Sequence, residues 1–282
     1  MQTLYVRYCA FFPITRSQDI AIELLLSVTT LEEQVSRYAN ITLVFYTLSA
    51  YKQSYLDLCA MFSFPSRVIA LDEEYATELT RWEEIANEIK HKTNTDHRCI
   101  IRMLADFHIL PTDQHRLLIG CDIFFLKVPQ EVLAFIWNPD KQAKVLYMAD
   151  VNSFAGALYK LRYYKPSILE GLLGDFYCLA PGVRLTEEAI RGCLKMIDDW
   201  PANIHRWEPT AKLDGTHACE QQAAAILLQP FGGQLLPVGR YSHVTVLSDL
   251  AVIHTHSISN ITVILDDKVK ARAKELLAVW PE

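Results

Sequence analysis

A strongly apolar run near the middle of the sequence is interrupted by an aspartate. Residues 116–126 read RLLIGCDIFFL, in which Asp122 follows Gly120 and Cys121 and has strand-forming residues on both sides. Burying a carboxylate there costs free energy unless a cation, an arginine or several N–H donors compensate its charge. Asp122 is therefore a candidate ligand for a metal or a substrate. The structural alternative is a carboxylate bonded to neighbouring backbone at a strand break.

Two histidines near the end of the sequence form a second candidate group. His254 and His256 stand two positions apart in the segment VIHTH, which is typical of a strand. Alternate residues of a strand face the same side, so the two imidazoles could bind a divalent metal together. The alternative is a structural histidine bonded to a backbone carbonyl.

An acidic residue and a glutamine begin the Ala-rich segment 217–229, whose composition predicts a helix. These are Glu220 and Gln221. The partial positive charge at a helix N-terminus stabilises a carboxylate, so Glu220 could simply cap the helix. Alternatively, it points into a cleft and orients or deprotonates a substrate hydroxyl.

Two arginines precede the Asp122 segment on a predicted helix around residues 98–110. Arg98 and Arg102 are four positions apart and so share a helix face. Together they could bind a phosphate group, because a guanidinium forms charge-assisted hydrogen bonds with phosphate oxygens. Ordinary solvated surface charge is the alternative.

The overall composition narrows the classes of partner. The chain has 282 residues, 51% of them hydrophobic, enough for a substantial core. A formal net charge of −6, without blocks of like charge, argues against nucleic-acid binding. No stretch reaches the roughly 18–20 apolar residues of a membrane span, and the first residues lack signal-peptide features. We expect a cytoplasmic protein whose seven cysteines, without C-x-x-C pairs, are reduced thiols.

The elements that must position these residues alternate between strand and helix. The order predicts one α/β domain with a central mixed, mostly parallel sheet flanked by helices. Residues 116–126 are predicted to form a central strand, because a run buried on both faces is typical of one. The other predicted strands are 3–12, 41–48, 67–71, 144–148, 234–238 and 252–256, with 175–185 extended. Helices are predicted over 17–39, 51–62, 73–91, 98–110, 186–198, 217–229 and 268–280.

Taken in order, these features resemble the nucleotide-sugar-dependent glycosyltransferases of the GT-A fold. That family has a basic helix, then a D-x-D sequence between apolar residues, then Phe and a nearby Pro. The counterpart here is 118–129, LIGCDIFFLKVP, with Gly120 at the first Asp and Asp122 at the second. The family's N-x-G-like segment and acidic-Gln helix start correspond to 179–183 and to Glu220 with Gln221. Its late histidine corresponds to His254 or His256.

The resemblance implies a donor, a metal and a division of the chain. Residues 1–130 would form the nucleotide-binding half and residues 131–282 the acceptor half with the C-terminal helix. The donor would be a nucleotide-diphosphate sugar such as a UDP-sugar, and the acceptor a glycan, a lipid-linked molecule or a small molecule. Mn²⁺ or Mg²⁺ would be held by Asp122, His254 and His256. The catalytic residues would be Glu220 and Asp122, and the nucleotide-sugar-binding residues Tyr8, Phe11, Arg102, Gly120, Asp122 and Gln221.

Gly120 departs from the family pattern and leaves three alternatives open. Asp122 and a C-terminal histidine suffice for the metal, Arg102 takes over part of the charge neutralisation, or the site is inactive. The expected function is hexosyltransferase-like sugar transfer; the alternative is a catalytically inactive nucleotide- or sugar-binding relative. A sugar-phosphate nucleotidyltransferase is disfavoured, because the segment 11–16, FFPITR, contains no glycine.

Overall fold

A seven-stranded sheet forms the centre of the protein. The structure is a computed structural model that describes residues 2–9, 14, 19–93, 97–138, 142–149, 172–196, 218–243, 249–255 and 264–280. The strands are β1 (Thr3–Cys9), β2 (Asn40–Thr47), β3 (Ser66–Ala70), β4 (His115–Ile119), β5 (Ile123–Phe125), β6 (Val145–Ala149), β7 (Leu172–Leu179), β8 (Gly233–Leu235), β9 (Tyr241–His243) and β10 (Val252–His254).

The large sheet is mixed and mostly parallel, as predicted. Its strand order is β3-β2-β1-β4-β7-β6-β8. Neighbouring strands run parallel except where β7 lies antiparallel to both β4 and β6. A second sheet contains β5, β10 and β9, with β10 in the middle. The central strands β1 and β4 are parallel neighbours, so their carboxyl ends lie side by side at the same end of the large sheet.

Helices cover both faces of this sheet. They are α1 (Asp19–Val35), α2 (Lys52–Ala60), α3 (Leu71–Glu74), α4 (Ala76–Thr93), α5 (His97–Ile109), α6 (Gln130–Trp137), α7 (Glu187–Met196), α8 (Ala218–Leu228) and α9 (Asp267–Val279). Local capping explains two of the helix starts: the Thr186 hydroxyl accepts a hydrogen bond from the Ala189 amide, and Asp266 accepts one from the Lys268 amide.

The apolar residues divide into layers according to the strand alternation. On one face, Val6 and Leu117 pack with residues of α1, α2, α6 and α9. On the other face, Leu118 and Tyr177 pack with residues of α4, α5, α7 and α8. Successive strand residues point to opposite faces, so each buried strand contributes to both layers.

The prediction of one central strand over residues 116–126 is wrong. β4 ends at Ile119, and β5 begins at Ile123 in the other sheet. The intervening residues form a turn that passes the chain from one sheet to the other. An interior glycine weakens a strand, and β4 ends at the residue before Gly120, although the Gly120 amide still bonds to the Asp175 carbonyl of β7. The turn places Asp122 directly after a central parallel strand.

Within the described ranges, no helix combines the length and the apolar character needed to cross a lipid bilayer.

Candidate functional site

Asp122 and His254 meet at the carboxyl end of β4. The His254 Nε2 atom lies 3.0 Å from Asp122 Oδ2, although the residues are 132 positions apart in the sequence. The Asp122 side chain is 14% exposed and that of His254 is 3% exposed. The carboxylate therefore remains accessible, while the imidazole is enclosed behind it.

Backbone pairing in the second sheet creates this contact. β10 lies antiparallel to β5, with His254 opposite Ile123. The Thr255 amide also donates a hydrogen bond of 3.2 Å to the Asp122 carbonyl oxygen. From α1, the Ser27 hydroxyl donates to the Ile123 carbonyl. The strand that follows Asp122 is thus fixed on two sides, which restricts where the carboxylate can lie.

A second carboxylate, Asp175 on β7, lies beside the same turn. The Asp175 carbonyl accepts a hydrogen bond of 3.0 Å from the Gly120 amide. Its side chain forms an ion pair with Arg102, whose Nη1 atom is 2.7 Å from Asp175 Oδ1. The Arg102 side chain is 9% exposed and that of Asp175 is 20% exposed. A partly buried pair of this kind is less screened by solvent than a surface pair.

A buried ion pair positions the helix that carries Arg102. The Arg7 Nε and Nη2 atoms each donate to one oxygen of Asp106, both at 2.7 Å. The Arg7 Nη1 atom also donates to the Ile119 carbonyl at 3.2 Å, at the last residue of β4. Burial raises the pKa of Asp106, and the Arg7 charge opposes that rise. Arg7 therefore joins α5 to the end of the strand that leads to the site.

Gly120 stands between the two carboxylates. A β-carbon on this residue would lie 2.7 Å from Asp122 Oδ1 and 3.2 Å from the β-carbon of Asp175. The first distance is well inside van der Waals contact. The side chains of Asp122 and Asp175 thus border the space that a side chain at position 120 would occupy.

The structure brings together some of the predicted residues and separates others. Arg102 lies at the site, next to Asp175, whereas Arg98 is exposed on the same helix. Gln221 is buried on α8, and its Oε1 atom has no hydrogen-bond partner among the described residues. Glu220 lies in the first turn of α8, but its side chain is outside the described part of the structure, as are Phe11 and His256.

Tyr8 lies in the core beneath the site. Its side chain is fully buried, its ring stacks on Phe45 with centroids 5.4 Å apart, and its hydroxyl lies 3.1 Å from Ser27 Oγ. Burial raises the pKa of this hydroxyl above its ordinary value. Stacking of a nucleotide base on this ring would therefore require the surrounding core to open.

The donor atoms around Asp122 suit a divalent cation. Carboxylate oxygens are preferred ligands of Mg²⁺ and Mn²⁺, and imidazole nitrogen is a common metal ligand. The unfilled side-chain position at Gly120 leaves Asp122 and Asp175 bordering a shared space. In the described ranges, no group of three or more His, Cys, Asp or Glu side chains forms a ready-made metal site. The Asp122 and His254 pair therefore offers part of a coordination shell that other ligands would have to complete.

Three residues of this arrangement escaped the sequence analysis. Arg7, Asp106 and Asp175 are charged residues within apolar segments, and each is tied to a partner at the site or directly behind it. The same signal singled out Asp122. Applied evenly, it would have selected these residues as well, because a charge in a buried strand or on a buried helix face needs a partner.

The chain is similar to known proteins in its fold and not in its sequence. No protein-family model and no curated protein sequence matches the chain. Mouse xyloside xylosyltransferase 1, in its apo form, is similar in structure with a TM-score of 0.59 and 12% identity, over 90% of this chain and 97% of that one. The galactosyltransferase LgtC, in complex with donor and acceptor sugar analogues, gives a TM-score of 0.57 and 13% identity, over 99% of this chain and 96% of that one.

A third similar structure is the bifunctional glycosyltransferase WbbM, in its apo form. It gives a TM-score of 0.54 and 10% identity, over 99% of this chain and 50% of that one. At sequence identities this low, the structural similarity establishes the architecture only, and the chemistry has to be inferred from the site. With its mostly parallel central sheet flanked by helices, this chain has a GT-A-like fold, as those glycosyltransferases do.

Proposed function

We propose that this protein is a glycosyltransferase that moves a sugar from a nucleotide-diphosphate donor to an acceptor, assisted by a divalent metal. The observation that carries the proposal is the contact between Asp122 and His254. Distant parts of the chain bring a carboxylate and an imidazole together at the turn after β4. The resemblance of residues 118–129 to a D-x-D segment implies that this turn faces the donor diphosphate.

The location of the pair supports donor binding there. Ligands of open α/β sheets bind outside the carboxyl ends of the strands. Asp122 follows the carboxyl end of β4, and β1 ends beside it. In this proposal, residues 1–130 bind the nucleotide and residues 131–282 contribute the acceptor side.

The charged side chains divide the work at the site. Asp122 and His254 would hold Mn²⁺ or Mg²⁺, which when bound neutralises negative charge on the departing nucleotide diphosphate. Arg102 is ion-paired with Asp175, which lies beside the same turn. Its guanidinium would add a positive charge in a fixed position near the diphosphate. Preorganised charges of this kind stabilise a leaving group without rearranging during the reaction.

The acceptor side is assigned to the start of α8. Glu220 would act as the base that deprotonates the acceptor hydroxyl, or as a group that positions it. The next residue, Gln221, is buried, and its Oε1 atom lacks a hydrogen-bond partner among the described residues. This oxygen could accept a hydrogen bond from a hydroxyl group of a bound sugar. Phe11 remains a candidate for the region near the base, whereas the ring of Tyr8 is fully buried in the core and is not proposed to contact it.

A screen for slow hydrolysis of nucleotide-sugars tests the proposal without a known acceptor. UDP-sugars with Mn²⁺ are the first donors to test. We expect Asp122→Ala to lower hydrolysis or transfer by at least about a hundredfold, in line with loss of a charge-stabilising group. Asp267→Ala is the matched control, because the Asp267 side chain is fully exposed on α9. Unchanged turnover in the Asp122 variant would remove that residue from the mechanism.

The inactive alternative follows from the missing side chain at position 120. A non-catalytic relative would bind UDP or the sugar nucleotide and show no turnover. Thermal stability measured with UDP, GDP and Mn²⁺ separates the two cases, since a ligand that binds only the folded state raises the melting temperature. Ligand stabilisation without hydrolysis of any donor would favour the inactive alternative.

A further inference from the structure

The ion pair between Arg102 and Asp175 gives the candidate site an anion of its own. The Arg102 Nη1 atom lies 2.7 Å from Asp175 Oδ1, and the two side chains are 9% and 20% exposed. At this distance the carboxylate offsets much of the positive charge that the guanidinium would present to an approaching anion. Because the pair is largely buried, dissolved salt screens it less than it screens a surface pair. A phosphate group that binds Arg102 therefore has to compete with Asp175.

This pair lies beside the turn that carries Asp122. The Gly120 amide donates a hydrogen bond of 3.0 Å to the Asp175 carbonyl oxygen, which places Asp175 next to the turn. A β-carbon on Gly120 would lie 3.2 Å from the β-carbon of Asp175 and 2.7 Å from Asp122 Oδ1, so both side chains border one small space. A diphosphate that enters this region meets two carboxylates. Like charges brought together in this way weaken binding.

The position of Arg102 does not depend on Asp175 alone. The helix that carries Arg102, α5, is joined to β1 by the two hydrogen bonds between Arg7 and Asp106. Burial raises the pKa of Asp106, and the charges of Arg7 and Arg102 both oppose that rise. Arg102 thus lies within electrostatic range of a second carboxylate. It keeps this neighbour and a fixed helix when another anion displaces Asp175.

We propose that Asp175 occupies the anion position on Arg102 that the donor diphosphate takes over, so that donor binding exchanges one anion for another. This inference rests on the function proposed above. Bare pyrophosphate has to displace the carboxylate by its charge alone, whereas a nucleotide-sugar also gains contacts from its base and its ribose. Asp175 is therefore a specificity-determining residue. It weakens the binding of every diphosphate, so that only ligands with further contacts bind well.

Calorimetric titration of the full chain with inorganic pyrophosphate, in a buffer containing EDTA, tests the exchange without a nucleotide or a metal. Asp175→Asn keeps the shape of the side chain and removes its charge. We expect this variant to bind pyrophosphate about tenfold more tightly than the unmodified chain, a difference of about 1.4 kcal/mol. UDP binding should strengthen by a similar factor. Asp267→Asn is the matched control and should leave both affinities unchanged, because it alters the net charge equally at a fully exposed side chain on α9.

A second substitution shows whether the gain in affinity depends on Arg102. Adding Arg102→Gln to Asp175→Asn removes the guanidinium as well, and we expect it to abolish the gain. Simple removal of a negative charge predicts instead that the gain persists. Far-ultraviolet circular dichroism checks that each variant is folded. If Asp175→Asn does not fold, Asp175→Ser removes the same charge with a smaller side chain and takes its place in the test.

The outcomes separate this inference from the proposed function. Unchanged or weaker pyrophosphate binding by Asp175→Asn would overturn the inference, and UDP binding by the unmodified chain would leave the proposed function standing. A gain that persists after Arg102→Gln is added would also overturn the inference. A gain that requires Arg102, together with UDP binding, supports it. The same gain without UDP binding by either chain would leave the counter-ion role of Asp175 standing and overturn the proposed function.

Discussion

Arg7 on the first strand and Asp106 on α5 form a two-point ion pair in the interior of the protein. Both bonds are 2.7 Å long, and the two side chains are 0% and 1% exposed. The same guanidinium reaches the carbonyl of Ile119. A single buried side chain therefore connects β1, α5 and the end of β4, which leads to the candidate site.

Breaking this pair should destabilise the fold strongly. Arg7→Leu leaves the Asp106 carboxylate buried without its partner, which costs about 3–5 kcal/mol in comparable cases. Equilibrium unfolding in urea measures the loss. Arg7→Leu with Asp106→Leu removes both charges and should recover most of it, whereas an equal loss in the double variant would contradict the explanation.

The stability of the Arg7→Leu variant should depend on pH in a defined direction. Burial already raises the pKa of Asp106, and loss of the Arg7 charge removes an opposing effect. When the pKa of a carboxyl group is higher in the folded than in the unfolded state, the folded state loses stability as the pH rises through the folded pKa. The variant should therefore be less stable relative to the unmodified protein at pH 8 than at pH 5. The opposite trend would count against an ionised, unpaired Asp106.

An alanine at position 120 should disturb Asp122 directly. Its β-carbon would meet Asp122 Oδ1 at 2.7 Å, so the carboxylate must move away from His254 or the backbone must shift. We expect a loss of about 1–3 kcal/mol in the free energy of unfolding, as for other overpacked positions. Gly192→Ala is the matched control. That glycine lies in α7 with open space around it, so alanine there should be neutral or stabilising.

Replacing His254 should weaken metal binding while leaving the second sheet in place. The pairing of β10 with β5 uses backbone groups, so His254→Gln keeps the strand register. Loss of the imidazole next to Asp122 should lower Mn²⁺ affinity by about tenfold or more. A Mn²⁺ titration together with a far-ultraviolet circular dichroism spectrum tests both statements. Unchanged affinity would exclude His254 as a ligand.

The cysteines should differ sharply in reactivity. Burial raises the pKa of the Cys178 thiol to about 12 and that of Cys59 to about 11. At pH 8 both thiols are therefore almost entirely protonated and unreactive. Cys121, in the turn beside Asp122, is only partly buried. Labelling followed by peptide mass spectrometry should modify Cys121 before Cys178 and Cys59, and equal rates for Cys121 and Cys178 would contradict this order.

The sequence predicted the architecture well because the strands are strongly apolar and the helices have clear ends. The first three strands, the helix at residues 187–196 and the C-terminal helix all lie within a few residues of the predicted ranges. The break at Gly120 was visible in the sequence. That the chain leaves one sheet and enters another there was not, because both halves are equally apolar and only the pairing partners distinguish them.

The candidate site was predicted only in part. Asp122 and His254 were selected separately, and nothing in their spacing indicated a contact across 132 positions. Arg102 was predicted to bind a phosphate together with Arg98. In the structure it forms an ion pair with Asp175, on a strand antiparallel to β4. This contact between a helix and a strand depends on the register of β7, because a shift of one residue would turn Asp175 to the other face.

The route by which β10 reaches β5 has a consequence for biosynthesis. His254 follows Asp122 by 132 residues, so at about 5–20 residues per second the ribosome needs about 7–26 s to add it. During that interval β5 is made but lacks the neighbour that closes its exposed edge. A nascent chain halted before Val252 would therefore present an open, apolar strand to chaperones and would remain unable to complete the Asp122 pair.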